Sequence, residues 1–148
     1  MEMQMQRTRS TRVLVNCSNH PSKDWDELQR GFFDVIIDVP FPNVDPYLDA
    51  FDYGFRDIVH SLKNRILRAF KEATSMPCVW SPQKFLYLAG EYSVCYELIL
   101  RKKEFFPDVV LAVPTTRRVV EEEVLENGEV RKVSKFRFVK WRFIVEDE

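Results

Sequence analysis

Thr11-Arg12-Val13-Leu14-Val15-Asn16-Cys17-Ser18-Asn19-His20-Pro21-Ser22-Lys23-Asp24-Trp25 is the stretch on which the fold turns. Three aliphatic residues, Val13 to Val15, run straight into the small polar groups Asn16, Ser18, Asn19, His20 and Ser22 before a helix begins. In an α/β sheet, the loop leaving the carboxyl end of a strand is where ligands sit, because the strand ends diverge there and the next helix points its N-terminus at the gap. A polar, histidine-containing loop at that place reads as a ligand site.

Working outward, Arg12 to Cys17 is a predicted strand. Ser22 or Asp24 caps a short helix to about Phe33, with Trp25, Leu28 and Phe32 on one face. Val35, Ile36, Ile37 and Val39, bounded by Asp34 and Pro40, suit a strand buried on both faces, which completes a β-α-β unit. The rigid segment Pro40 to Pro46 offers Asp45 as N-cap and Pro46 as first helical residue. A stripe follows at three- and four-residue steps: Tyr47, Leu48, Phe51, Phe55, Ile58, Val59, Leu62, Ile66 and Phe70, giving a long helix to about Ala73. Gly54 interrupts it, as close packing or a bend.

Lys84 to Ala89 reads as a third strand, ending at Gly90-Glu91, and Ser93 to Phe105 as a third helix stopped by Pro107. Val109 to Val113 gives a fourth strand leading into the loop Pro114-Thr115-Thr116-Arg117-Arg118. Asn127-Gly128, between the strand-like runs Val119 to Leu125 and Val130 to Val145, is a strong hairpin signal. The expected fold class is α/β: a Rossmann-like three-layer sandwich, mostly parallel, with a C-terminal antiparallel β-hairpin.

The 148 residues suffice for one domain with a sizeable core and not for two, so a single domain over 11–148 is expected after a polar, repetitive leader, 1–10, read as disordered. Twenty-two Lys and Arg nearly cancel 23 Asp and Glu, so no global field recruits a nucleic-acid backbone and an anion must be held locally. Cys17, Cys78 and Cys95 are odd in number and widely spaced, which argues against disulfides and a zinc site and suits a cytoplasmic protein. Met1 to Ser10 contains no apolar h-region and no run elsewhere approaches the length of a membrane span, so neither a signal peptide nor a span is expected.

Three strand-end loops are polar: Asn16 to Ser22; Gly90, Glu91 and Ser93; and Pro114 to Arg118. Together they would surround one crevice. The plainer account is that Asn, Ser and Thr form turns and caps there. His20 is placed to act as hydrogen-bond donor, general acid or general base, whereas His60 beside the apolar stripe reads as structural. Metal-ligand spacing, a Walker sequence, GxGxxG and GxSxG are all absent, so no metal and no cofactor are expected. Arg117 and Arg118 suit a phosphate clamp, or pairs with Glu121 to Glu123.

Strict alternation along the last strand puts Lys135, Arg137, Val139 and Trp141 on one face and Phe136, Phe138, Lys140 and Arg142 on the other. A bulge near Val139 would gather all four cations on one side, although the sequence does not establish one. Those cations suit either a single-stranded nucleic acid, with the aromatics as stacking surface, or the Glu-rich partner strand; cross-strand pairing is the simpler account. Cys17 is a weak candidate nucleophile, lacking a matched His and acid.

Asn16-Cys-Ser-Asn-His-Pro-Ser22 with Trp25, Asp38-Val-Pro-Phe-Pro-Asn-Val-Asp-Pro46, Gly90-Glu91, Thr115-Thr116-Arg117 and Phe136-Arg-Phe-Val-Lys-Trp-Arg142 together resemble small single-domain proteins of type III CRISPR loci, relatives of the CRISPR-associated Rossmann fold (CARF) and of stand-alone ring nucleases. The resemblance implies a homodimer whose strand-end loops share a pocket for a cyclic oligoadenylate. A two-fold dimer presents equivalent loops to a symmetric ligand. It also implies metal-independent ring opening, in which a ribose 2'-hydroxyl attacks the adjacent phosphate. His20 would then assist proton transfer, Asn16, Ser18, Asn19 and Ser22 would grip phosphate or ribose, and Thr115, Thr116 and Arg117 would orient the opposite side. The polar leader and Arg118 beside Arg117 depart from the pattern. Two other readings stand beside this one: a non-catalytic binder or sink for the messenger, and a single-stranded nucleic-acid module, with neither a membrane nor stable duplex nucleic acid as partner.

Overall fold

In the computed structural model, residues 9–146 are described. Residues 1–8 of the expected leader lie outside them, and Arg9, at its end, pairs with Asp34 at 2.7 Å. The chain is α/β, built on a five-stranded sheet in the order β2-β1-β3-β4-β5. The strands are β1 (Arg12–Cys17), β2 (Val35–Asp38), β3 (Gln83–Leu88), β4 (Val109–Val124) and β5 (Val130–Phe143). The first four run parallel, and β5 returns antiparallel to β4.

The buried centre follows from β1, which lies between β2 and β3 and alternates its side chains between two cores. Val13, Val15 and Cys17 face the larger one, filled from α2 (Tyr53–Thr74) by Phe55, Val59, Leu62, Ile66 and Phe70, and from α3 (Tyr92–Leu100) by Val94 and Leu98. Leu14 faces a smaller, aromatic core of Phe33, Phe85 and Trp141, beside the five-residue α1 (Glu27–Gly31).

Several expected boundaries moved. The first helix is capped by neither Ser22 nor Asp24: Ser22–Asp24 form one 3-10 turn, and Asp26 caps α1 by accepting from the Gln29 N–H at 2.8 Å. The long helix starts at Tyr53, not Pro46. Asp45 spends its carboxylate on a local turn, accepting from the Tyr47 N–H at 2.9 Å, so Tyr47 and Phe51 fall off the buried stripe and are exposed. The third helix begins at Tyr92 under a Glu91 cap and breaks at Arg101 before α4 (Lys102–Phe105).

The largest difference lies at Pro114 to Arg118, expected as a loop and found inside β4, a continuous strand of 16 residues. Its hydrogen bonds come from β5, opposite which Pro114 sits at Trp141 and Arg117 at Arg137. Distant pairing overrode the local turn chemistry. Since β3 stops at Leu88, everything in β4 beyond the level of Val113 stands clear of the parallel sheet with β5 as a two-stranded arm. Gly128, with φ of 84°, supplies the left-handed residue at its tip.

Candidate functional site

The strand order places the topological switch point between β1 and β3: the chain leaves β1 in one direction for β2 and reaches β3 on the other side, so a crevice is expected at their carboxyl ends. The first and second loops meet here: the Ala89 N–H donates to the Cys17 carbonyl at 3.0 Å, and the Val39 N–H to that of Asn16 at 2.8 Å.

Asn16 is fully buried, and its amide donates to the His20 carbonyl at 2.9 Å and to Asp38 Oδ1 at 3.1 Å. Its own oxygen accepts from Ser18 Oγ at 2.7 Å, and Ser18 Oγ in turn accepts from the His20 N–H at 3.2 Å. Asp38 Oδ2 receives the Ser22 N–H at 3.0 Å. Asn16 and Ser18 are therefore spent on shaping the loop, as the plainer reading of its polar residues has it. Left facing solvent are the side chains of Asn19 and His20. No side chain orients the His20 imidazole by a hydrogen bond among the described residues, so the second half of an acid–base pair is missing from this geometry.

Asp38, which ties β2 to the loop, was missed in the sequence. Its signal was an acid closing an apolar strand, which composition alone does not separate from a turn residue.

At the second loop, a Cβ on Gly90 would lie 2.3–2.5 Å from the ring carbons of Phe41, so glycine here admits the Pro40–Pro46 segment across the end of β3. Glu91 accepts from the Val94 N–H at 2.9 Å. Partial desolvation raises its carboxyl, but the hydrogen bonds from Val94 and Ser93 outweigh this and hold it below its ordinary value. Glu91 and Ser93 thus form the cap of α3.

Cys17 points into the larger core. Burial, with Cys95 nearby and only Arg65 opposing, pushes its thiol up to about 12, which removes it as a nucleophile at neutral pH.

The third group belongs to the arm. Thr115 is opposite Lys140 and Thr116 opposite Phe138, so Val139 is the extra residue of a bulge in β5. The bulge reverses the alternation. Phe136, Phe138, Trp141 and Phe143 share one face, while Lys135, Arg137, Lys140 and Arg142 share the other with Thr115 and Arg117 of β4. The expected pairing with the Glu-rich strand holds for part of this set: Glu121 pairs with Lys135 at 3.2 Å and with Arg137, and Glu123 pairs with Arg131 at 2.7 Å. Arg117, Lys140 and Arg142 make no ion pair among the described residues.

The root of the arm is fastened beside the first loop. Trp141 Nε1 donates to the Gln29 carbonyl at 2.8 Å, and the Trp141 ring packs 5.6 Å from Trp25 and 5.7 Å from Tyr87. The aromatic face of the arm is thereby anchored to α1 and Trp25, while the exposed Arg117, Lys140 and Arg142 stand on the opposite face, near the carboxyl end of β3.

The model of the Uncharacterized protein MJ1673 family matches residues 12–142, from the first residue of β1 almost to the end of β5. The chain belongs to that family. The match thus takes in all three polar groups and the bulged arm of this MJ1673-family chain. No curated protein and no solved structure matches it. Among the described residues no helix is long and apolar enough to cross a membrane.

Proposed function

We propose that the protein is a Rossmann-like, CARF-related binding domain that holds a phosphodiester-linked nucleotide, a cyclic oligoadenylate, at the carboxyl rim of its sheet. It works as a homodimer and as a binder of the messenger. The observation that carries this reading is the bulge at Val139, which gathers Lys140 and Arg142 with Arg117 on one face near the carboxyl end of β3. Guanidinium and ammonium groups without a carboxylate partner are suited to phosphate oxygens, arginine by bidentate contact. The near-neutral chain charge fits a ligand held at one place better than a long backbone tracked over the surface.

Binding is favoured over ring opening by one feature: among the described residues no side chain orients the His20 imidazole. Asn19, His20 and Ser22 remain ligand contacts in this reading, with Asn16 and Ser18 as positioning residues. Incubation with cyclic tetra- and hexa-adenylate followed by mass spectrometry tests it. Retention of an intact ring is the expected result. Linear products would make the protein a ring nuclease, and no retention of either ring would overturn the ligand.

A further inference from the structure

The arm is an unstable object on its own terms. A two-stranded ribbon is marginal in water, yet this one carries twelve cross-strand pairs from Val113 to Val124 and has both outer edges bare there. The aromatic face of its root continues outward onto residues left uncovered among the described residues: Phe136 is 72% exposed and Val120 57%. Phe138 and Trp141 of that same face line a largely apolar groove of about 610 Å³ along the edge of β5, to which Lys140 and Arg142 also contribute. A face of this kind marks a contact.

Charge identifies the occupant. The root of the arm is cationic, with Arg117, Arg118, Lys135, Arg137, Lys140 and Arg142, and the outer part carries Glu121, Glu122, Glu123, Glu126 and Glu129 with Arg131 and Lys132; of those in the paired strands, Arg118, Glu122 and Lys132 are on the apolar face. Two such arms laid antiparallel set root against tip twice, as an isologous contact requires. The apolar face repeats the pattern in miniature. Along β4 it carries Arg118, Val120 and Glu122, opposite Phe136, Ser134 and Lys132 of β5.

We propose that the β4–β5 arm is a self-pairing surface that packs face to face on the arm of a second copy of this chain, antiparallel, with Val120 at the two-fold axis. Arg118 then meets Glu122 of the second copy, and the row of Thr116 and Phe138 covers the row of Val124 and Val130. Burying Phe136 and Val120 supplies the driving force, and the Arg118–Glu122 contacts set direction and register. The opposite face of each arm, with Arg117, Lys140 and Arg142, stays open. The inference deepens the homodimer part of the reading above and rests on that part alone.

Size-exclusion chromatography with light scattering tests it on the full chain. The wild type should elute at twice the chain mass of 17.6 kDa, and Phe136→Glu with Val120→Glu at the single mass. Arg118→Glu and Glu122→Arg should each shift the protein towards monomer, and the two together should restore the dimer by exchanging the charges. That rescue separates a lost contact from a misfolded arm. A monomeric wild type, a dimer that survives the glutamates, or a double charge exchange that stays monomeric would overturn the arrangement, the last two pointing to edge-to-edge pairing or another surface. Ligand retention measured on the same samples is independent: a dimer that binds no cyclic oligoadenylate leaves the arm contact standing and removes the ligand.

Discussion

Replacing Gly90 by Ala tests whether this glycine belongs to packing or to a ligand. The added Cβ would sit 2.3 Å from the nearest ring carbon of Phe41, more than an ångström inside ordinary carbon–carbon contact. The ring cannot swing away freely, because Phe41 is only 5% exposed and packed in the larger core with Val39 and Leu86. Overpacking of a tight core costs about 1–3 kcal/mol, and an overlap this deep against an immobile ring belongs at about 3 kcal/mol. For a chain of this size that is a fall in Tm of about 6–12 °C.

Urea denaturation followed by tryptophan fluorescence measures the loss, and a double-mutant cycle gives its cause. Phe41→Leu alone costs about 1 kcal/mol for lost ring contacts. Combined with Gly90→Ala it should recover about 1–2 kcal/mol of the alanine penalty, because the clashing ring carbons are gone. A Gly90→Ala protein within about 0.5 kcal/mol of wild type, or strictly additive effects, would refute the reasoning.

Asn16→Ala removes three hydrogen bonds from a fully buried side chain, one of them to a carboxylate, and should cost about 2–4 kcal/mol; a loss below about 1 kcal/mol by urea denaturation would mean that water replaces the amide. Glu91 is held below its ordinary value of 4.5, so its cap contributes fully above that pH and the contribution disappears as pH falls through the lowered native value. Glu91→Gln should therefore flatten the stability profile over that acidic range, and an unchanged profile would remove Glu91 from the account.

The parallel sheet was legible because its signals are local: an apolar run that ends in polar groups marks β1, β2 and β3 alike, and the strand boundaries moved by no more than a residue or so. The helix starts were less so. Asp45 and Asp52 both precede helix-compatible residues, and the choice between them rests on the turn that Asp45 closes with Tyr47. Pro114 to Arg118 has the composition of a loop and becomes a strand only because β5, some twenty residues on, supplies its partner; no local reading contains that information.

The bulge left a trace that can be read in hindsight. The aromatics of the last strand fall at 136 and 138 and then at 141 and 143, a change of parity that a single inserted residue repairs. At the site, the sequence located the right loops but not the division of labour within them. Asn16 and Ser18 look as available as Asn19 and His20 until the network with Asp38 shows which pair is occupied.

An equilibrium titration of cyclic tetra-adenylate into the wild type and into Lys140→Ala with Arg142→Ala, repeated at rising salt, is the most direct test of the phosphate-binding rim. Loss of two phosphate contacts should weaken binding by at least about tenfold and reduce the salt dependence. Equal affinity and an equal salt slope in the two proteins would place the ligand, if it binds, away from the face that the Val139 bulge assembles.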